Sequence, residues 1–314
     1  MIVVAGEALV DLVEEGGVLR AVPGGGPFNT AIALGRLGLP VAYLGTLSRD
    51  DYGGVLAGLL ADASVDLSLV RATDAPTPVA VVNKHGGDGG GNSYTFYLAG
   101  TAFADFPRSS LPAIPNQAVA LHVGTLALAV DPPATTYRLL VEREADKRSI
   151  VFDPNIRPAV FGDAEAYRLR FEQICRLSTV VKMSRDDAAW IYPGVEPTEV
   201  IERVLDFGPR MIAVTLGAEG AIAASAVGRT ELPADHVDVV DTVGSGDSFG
   251  AGLIASLHEQ DALALDSTRP LDDAVLEKAV SLAISVAALT STRTGAAPPS
   301  RKDLDAYLSE RVRA

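Results

Sequence analysis

Short runs of β-branched and apolar residues alternate with helical patterns along nearly the whole chain, and this rhythm constrains the fold more than any other feature. Strand candidates fall at residues 2–5, 41–44, 120–123, 149–152, 179–181 and 211–215. Helical patterns follow most of them, at residues 27–37, 52–61, 134–144, 186–191, 198–205, 248–258, 271–288 and 302–310. Such alternation predicts an α/β fold whose mostly parallel sheet is covered by helices on both faces through right-handed crossovers. Ligands should then collect at the carboxyl ends of the strands. Two regions break the rhythm. Residues 9–22 and 78–98 each read as a hairpin, the second with a glycine-rich tip at residues 85–91. The alternation in Tyr94-Thr95-Phe96-Tyr97 gives a strand with one packed face. The two hairpins are therefore expected to form a small sheet, a lid on a single domain spanning residues 1–314.

Bulk composition narrows the classes of function. Hydrophobic residues make up 48% and charged residues 21% of 314 positions, enough for one large core in water. No apolar run reaches the length of a membrane span. Met1-Ile2-Val3-Val4-Ala5-Gly6-Glu7 lacks the basic start of a secretory signal and reads as a strand, so a cytoplasmic protein is expected. A formal charge of −14 repels phosphate backbones and anionic surfaces, which argues against nucleic acid and membrane partners. Any polyphosphate must be held locally, by backbone amides, a few cations and Mg²⁺. Cys175, the single cysteine, cannot form an intrachain disulfide and reads as a buried packing residue.

The most informative stretch is Asp241-Thr242-Val243-Gly244-Ser245-Gly246-Asp247-Ser248-Phe249-Gly250-Ala251-Gly252, a glycine-rich turn running into an apolar helix. Glycines at 244 and 246 let successive N–H groups point into one cavity at a helix N-terminus, where the dipole favours negative charge. A carboxylate at its edge, Asp247, is placed to take a proton from a substrate hydroxyl. The same residues also describe a plain tight turn with Asp247 as N-cap, worth about 1 kcal/mol. A dinucleotide turn through Gly246, Gly250 and Gly252 is opposed by its late position and by the lack of any tyrosine with lysine four residues on. No glycine precedes a lysine, so there is no Walker A loop. Asp206-Phe207-Gly208 lacks the His-Arg-Asp loop of protein kinases, and the four histidines are too dispersed for a metal cluster. Nearer the N-terminus, Asp11 and the stretch Pro23-Gly24-Gly25-Gly26-Pro27-Phe28-Asn29-Thr30 offer a polyol-binding set in Asp11, Gly25 and Asn29. Their plainer roles are pinning a hairpin and starting a helix.

With these two signatures in this order, the sequence resembles the ribokinase-like, or PfkB-type, carbohydrate kinases. The resemblance implies a three-layer αβα sandwich with a small β-sheet lid. It implies Asp247 as catalytic base, an anion hole from Gly244, Ser245 and Gly246, and a sugar held by Asp11, Gly25 and Asn29. Thr215-Leu216-Gly217-Ala218-Glu219-Gly220 is similar to the family's nucleotide loop, which puts Thr215, Gly217 and Gly220 beside ATP. Asp241 and the Val243 carbonyl, with backbone near Thr294 and Gly295, match a monovalent-cation site that would take potassium. Ser184-Arg185-Asp186-Asp187 stands where the family often carries Asn-x-x-Glu, implying Ser184 near the nucleotide and Asp187 reaching Mg²⁺ through water. Asp153-Pro154-Asn155-Ile156-Arg157 resembles the fructokinase and 2-keto-3-deoxygluconate kinase branch, with Arg157 on a phosphate or carboxylate. The lid run is similar to that branch's Tyr-x-Phe-Tyr-Arg, placing Tyr97 on substrate, but Leu98 replaces the arginine and argues for a neutral sugar.

The implied activity is transfer of the ATP γ-phosphoryl group to a primary hydroxyl of a neutral sugar, fructose first. Acceptors of the same class are 2-keto-3-deoxygluconate and a riboside. A non-catalytic sensor is the reading from another class, opposed by the intact Asp247 turn. The bare face of a small lid further suggests a homodimer formed lid against lid.

Overall fold

The computed structural model describes residues 1–15, 17–83 and 93–311, and the alternation becomes thirteen strands among them. They are β1 (Ile2–Ala5), β2 (Leu9–Glu15), β3 (Val18–Gly24), β4 (Val41–Ser48), β5 (Val70–Thr73), β6 (Val79–Asn83), β7 (Ser93–Tyr97), β8 (Ala120–Gly124), β9 (Ser149–Asp153), β10 (Val180–Ser184), β11 (Met211–Thr215), β12 (Ala221–Ser225) and β13 (Arg229–Leu232). Nine form one sheet in the order β13-β12-β11-β10-β9-β8-β1-β4-β5. Every pairing from β11 across to β5 is parallel, and only the pairings of β12 with β11 and with β13, at one edge, are antiparallel.

The interior strands can be read from composition because a parallel strand is buried on both faces. Ile2, Val3, Val4 and Ala5 are all fully buried. Their alternation then sorts them: Ile2 and Val4 join the core beneath helices Gly26–Arg36, Ser245–Glu259 and Asp273–Ser291, whereas Val3 and Ala5 join the one beneath Pro133–Glu144 and Ala164–Cys175. The result is three layers, helices on sheet on helices. Helix Asp273–Ser291 has the length and apolarity of a membrane span, but Val275, Leu276, Ala279, Val280, Ala283 and Val286 are spent on the core. It packs against helix Ser245–Glu259 at Gly252, where a Cβ would lie 2.8 Å from Ala283 Cα. That glycine serves helix packing rather than a dinucleotide.

The chain leaves β1 for β4 on one side and returns to β8 on the other, so the strand order reverses at β1. A crevice opens at such a point, beyond the carboxyl ends of β1 and β8. Over it lies a separate four-stranded sheet, ordered β3-β2-β6-β7, in which two hairpins are joined by parallel pairing of β2 with β6. It is built from the two segments that break the strand and helix rhythm. The glycine-rich tip expected at residues 85–91 lies outside the described residues.

Strands β5, β12 and β13 and helix Ala164–Cys175 are additional to the expected alternation. The β12 run Ala-Ile-Ala-Ala-Ser carries almost no β-branched signal, yet burial on both sides makes it a strand. Cys175 closes the additional helix and is fully buried.

Candidate active site

The strand ends supply the crevice residue by residue. Glu7 follows β1, Asp11 lies on β2, Thr125 follows β8, and Asn155 and Arg157 follow β9. Gly25 and Asn29 come from the start of helix Gly26–Arg36, and Asp247 from the first turn of Ser245–Glu259. All of them line one cavity of about 250 Å³. Their convergence depends on glycine at 26, where a Cβ would fall 2.6 Å from Thr125 Oγ1 and 2.9 Å from Asn155 Nδ2.

Asp247 is 8% exposed and is held by two amides. Asn29 Nδ2 donates to Asp247 Oδ2 at 2.8 Å, and Asn155 Nδ2 donates to Asp247 Oδ1 at 3.1 Å. The N-cap of this helix is Gly244, in the left-handed region at φ 74°, so Asp247 does not cap it. Burial pushes the Asp247 carboxyl up to about 6, with the Asn29 hydrogen bond opposing the shift. A carboxylate so tuned accepts a proton near neutral pH, as a general base must.

Behind Asp247 runs a relay. Arg157 Nη1 donates to Asn155 Oδ1 at 2.7 Å, which turns the amide NH₂ of Asn155 toward Asp247. Asn155 sits at φ 38° and Thr125 at φ 54°, two strained non-glycine residues at one cavity. Asp187 Oδ1 accepts the Ile156 N–H at 2.6 Å, while its Oδ2 accepts the N–H and hydroxyl of Ser184 at 2.8 and 2.7 Å. Asp187 thus ties a helix start to the loop carrying Asn155 and Arg157. Deeper still, Lys182 Nζ donates to Asp153 Oδ2 at 2.9 Å, with both side chains buried. A Cβ at Gly246 would lie 3.4 Å from Lys182 Nζ, so the buried cation sits against the glycine turn.

A second cavity, of about 450 Å³, is lined by Thr215, Gly217 and Gly220 and by apolar side chains that include Phe249 and Ile284. It shares Thr242 and Gly246 with the first, so the two cavities meet at the glycine turn. Ser245 lines the second cavity and Gly244 the first. Ser184 lines neither; its hydroxyl is used beside Asp187. Asp241 Oδ1 accepts the Val243 N–H at 3.0 Å and Oδ2 accepts the Gly295 N–H at 2.8 Å, stitching together the two loops of the expected cation site. Among the described residues, no group of three His, Cys, Asp or Glu is arranged to hold a metal. Both oxygens of Asp187 are already hydrogen-bonded, to Ile156 and Ser184.

Residues 1–303 match the pfkB family carbohydrate kinase profile. The chain belongs to that family. A fructokinase from Rhizobium leguminosarum bv. trifolii is 35% identical over 88% of this chain and 85% of its own length. The Vibrio cholerae O395 fructokinase solved with fructose, ADP and calcium superposes with a TM-score of 0.85 at 28% identity, covering 98% of each chain. Aminoimidazole riboside kinase from Salmonella enterica, complexed with aminoimidazole riboside and an ATP analogue, gives 0.85 at 27% identity over 98% of this chain and 99% of the other. As a pfkB carbohydrate kinase, the chain has the ribokinase-like fold and is a phosphotransferase with an alcohol group as acceptor.

Like Ser184, Tyr97 lies outside both cavities. It is 60% exposed, whereas Tyr94 and Phe96 line the first. Successive strand residues face opposite ways, so only one parity of that run can meet a ligand. Glu7, Thr125, Asn155 and Lys182 join the site without being among the residues expected there. Glu7 and Lys182 carried a signal, a charge at the end of or within an apolar strand.

Proposed function

We propose that this pfkB kinase is an ATP-dependent fructokinase that converts fructose to fructose 6-phosphate. The observation carrying this is the position of Asp247, at the turn where a polar cavity fit for a sugar meets an apolar one fit for a nucleotide. Fructose lies against Asp11, Gly25 and Asn29, with a primary hydroxyl at Asp247. Asp247 takes the hydroxyl proton as the oxygen bonds to the γ-phosphorus and the bond from phosphorus to the bridging oxygen breaks, releasing ADP. Amides of Gly244, Ser245 and Gly246 face the moving phosphoryl group, and the loop of Thr215, Gly217 and Gly220 holds the nucleotide. Asp187 would hold an ATP-bound magnesium ion through water, and that ion would neutralise phosphate charge. The small sheet serves as a lid on this single kinase domain and excludes water.

A neutral sugar is favoured by charge. Asp11 and Asp247 face the cavity, the Arg157 guanidinium is hydrogen-bonded to Asn155, and Leu98 is buried in the core. An acid such as 2-keto-3-deoxygluconate would be repelled. A riboside is the second reading, on one observation: Tyr94 and Phe96 stack with centroids 5.9 Å apart beside the cavity and offer a face to a heterocycle. ADP release and phosphorylated product should be measured for fructose, 2-keto-3-deoxygluconate and aminoimidazole riboside, each in potassium and in sodium. Fructose should show the highest kcat/KM, with a severalfold greater rate in potassium if Asp241 and the Val243 carbonyl frame a cation site. A preference for the riboside replaces the proposal, and no turnover with any of the three ends it.

The need for ATP and the lone, buried Cys175 fit a reducing cytoplasm. We also propose a homodimer through the lid, because the small sheet exposes Val18, Leu19 and Tyr97, about 60% each. Light scattering should give twice the 32.6 kDa chain mass. A monomer at micromolar concentration would remove this part of the proposal.

A further inference from the structure

Glu7 is a buried carboxyl group that the phosphoryl transfer described above leaves without a task. It is 2% exposed, follows the central strand β1 at the point where the sheet order reverses, and lines the sugar cavity with Asp11, Asn29 and Asp247. Its Oε2 accepts the Ala127 N–H at 3.2 Å. Its Oε1 is buried without a hydrogen-bond partner, and among the described residues no cation forms an ion pair with it. A structural carboxylate would be paired, because a buried charge without a partner is strongly disfavoured. The nearby phenols do not supply the missing bond, since Tyr43 and Tyr137 both direct their hydroxyls to the Gly6 carbonyl, at 2.8 and 3.3 Å.

We propose that Glu7 is a substrate-recognition residue acting as a neutral acid, whose carboxyl O–H turns into the cavity and donates a hydrogen bond to an oxygen of the bound sugar. The inference rests on the reading of this cavity as the sugar site. It fits the pocket's chemistry, since Asp11 and Asp247 are acceptors when ionised and Glu7 adds a donor among them. An acid in this role must keep its proton at the working pH. Burial pushes the Glu7 carboxyl up to about 8, and the Asp247 charge adds to this while the Ala127 N–H and Arg157 oppose it. The other groups around it leave the range above neutrality clear. Burial pushes Asp11 on β2 and Asp247 on its helix up to about 6 and drives Tyr43 on β4 and Tyr137 on helix Pro133–Glu144 upward, and the Arg157 guanidinium lines the same cavity.

The test compares wild type with Glu7→Gln, whose amide donates a hydrogen bond at every pH, and with Glu7→Ala, which cannot. The sugar used is whichever gives the highest turnover with wild type. KM for that sugar should be flat near pH 7 and rise by about tenfold per unit well above pH 8, with kcat little changed. Glu7→Gln should keep a KM within a few-fold of wild type at pH 7 and lose the alkaline rise, while Glu7→Ala should raise KM at pH 7. Wild type without the rise, Glu7→Gln with the rise intact, or Glu7→Gln binding as poorly as Glu7→Ala would each overturn the idea.

Thermal midpoints give a readout that does not depend on any sugar. The folded value, about 8, lies above the ordinary 4.5, so the stability contributed by Glu7 is complete below 4.5 and is lost as pH rises through 8. Glu7→Gln should therefore gain on wild type between pH 5 and pH 8.5, and parallel curves would refute a buried neutral acid. If no sugar turns over with wild type, the kinase reading fails first, and the melting curves still decide the state of Glu7.

Discussion

Asp247→Asn is expected to lower kcat by roughly 100- to 10,000-fold, the range a positioned general base contributes. Asparagine keeps the size of the side chain and an acceptor for Asn29 but cannot take a proton. The second cavity does not include Asp247, so KM for ATP should stay within a few-fold of wild type. Wild type should also show an acid limb, because the base works only when deprotonated and its carboxyl is pushed up to about 6. Burial is the main cause, reinforced by the Asp153 charge and opposed by the Asn29 hydrogen bond, Lys182 and Arg157. Activity should therefore fall as pH drops through about 6, and the residual rate of the variant should lack that limb. If Asp247→Asn stays within a few-fold of wild type with the limb in place, the proton goes elsewhere.

The same residue shows what sequence can and cannot carry. A glycine turn ahead of an apolar helix is consistent with a base and with an N-cap, and the structure removes the second role by placing Gly244 at the cap and two asparagines on the Asp247 carboxylate. The central strands were legible because burial on both faces demands unbroken apolar runs, whereas the alanine-rich β12 owes its conformation to pairing with β11. In the small sheet, the Tyr94 to Tyr97 run announces a strand but not which parity faces the cavity, since that depends on the register of β7 against β6. In Asp153-Pro154-Asn155-Ile156-Arg157 the arginine drew attention by its charge. The residue that touches Asp247 is the neutral Asn155, and Arg157 acts by orienting it. Contacts of this kind join residues 92 positions apart, beyond the reach of any local pattern.

Lys182→Met is expected to lower the thermal midpoint by on the order of 5–8 °C. Lys182 and Asp153 are both buried, and removing one member of a buried pair costs about 3–5 kcal/mol because the other is left charged and unpaired. Asp153 is poorly placed to absorb the loss, since its Oδ1 has no hydrogen-bond partner and Lys182 serves its other oxygen. Adding Asp153→Leu should recover most of the stability, because an apolar pair of similar volume avoids the desolvation of two charges. Activity should not recover with it. The Lys182 ammonium lies against Gly246 and lowers the proton affinity of Asp247, so a double variant that folds well still lacks positive charge beneath the turn where phosphate is to bind. Stability restored with kcat still depressed is therefore the expected signature in the double variant. A single variant as stable as wild type would show that the pair contributes nothing to the fold, and full recovery of kcat in the double variant would show that its charge has no part in catalysis.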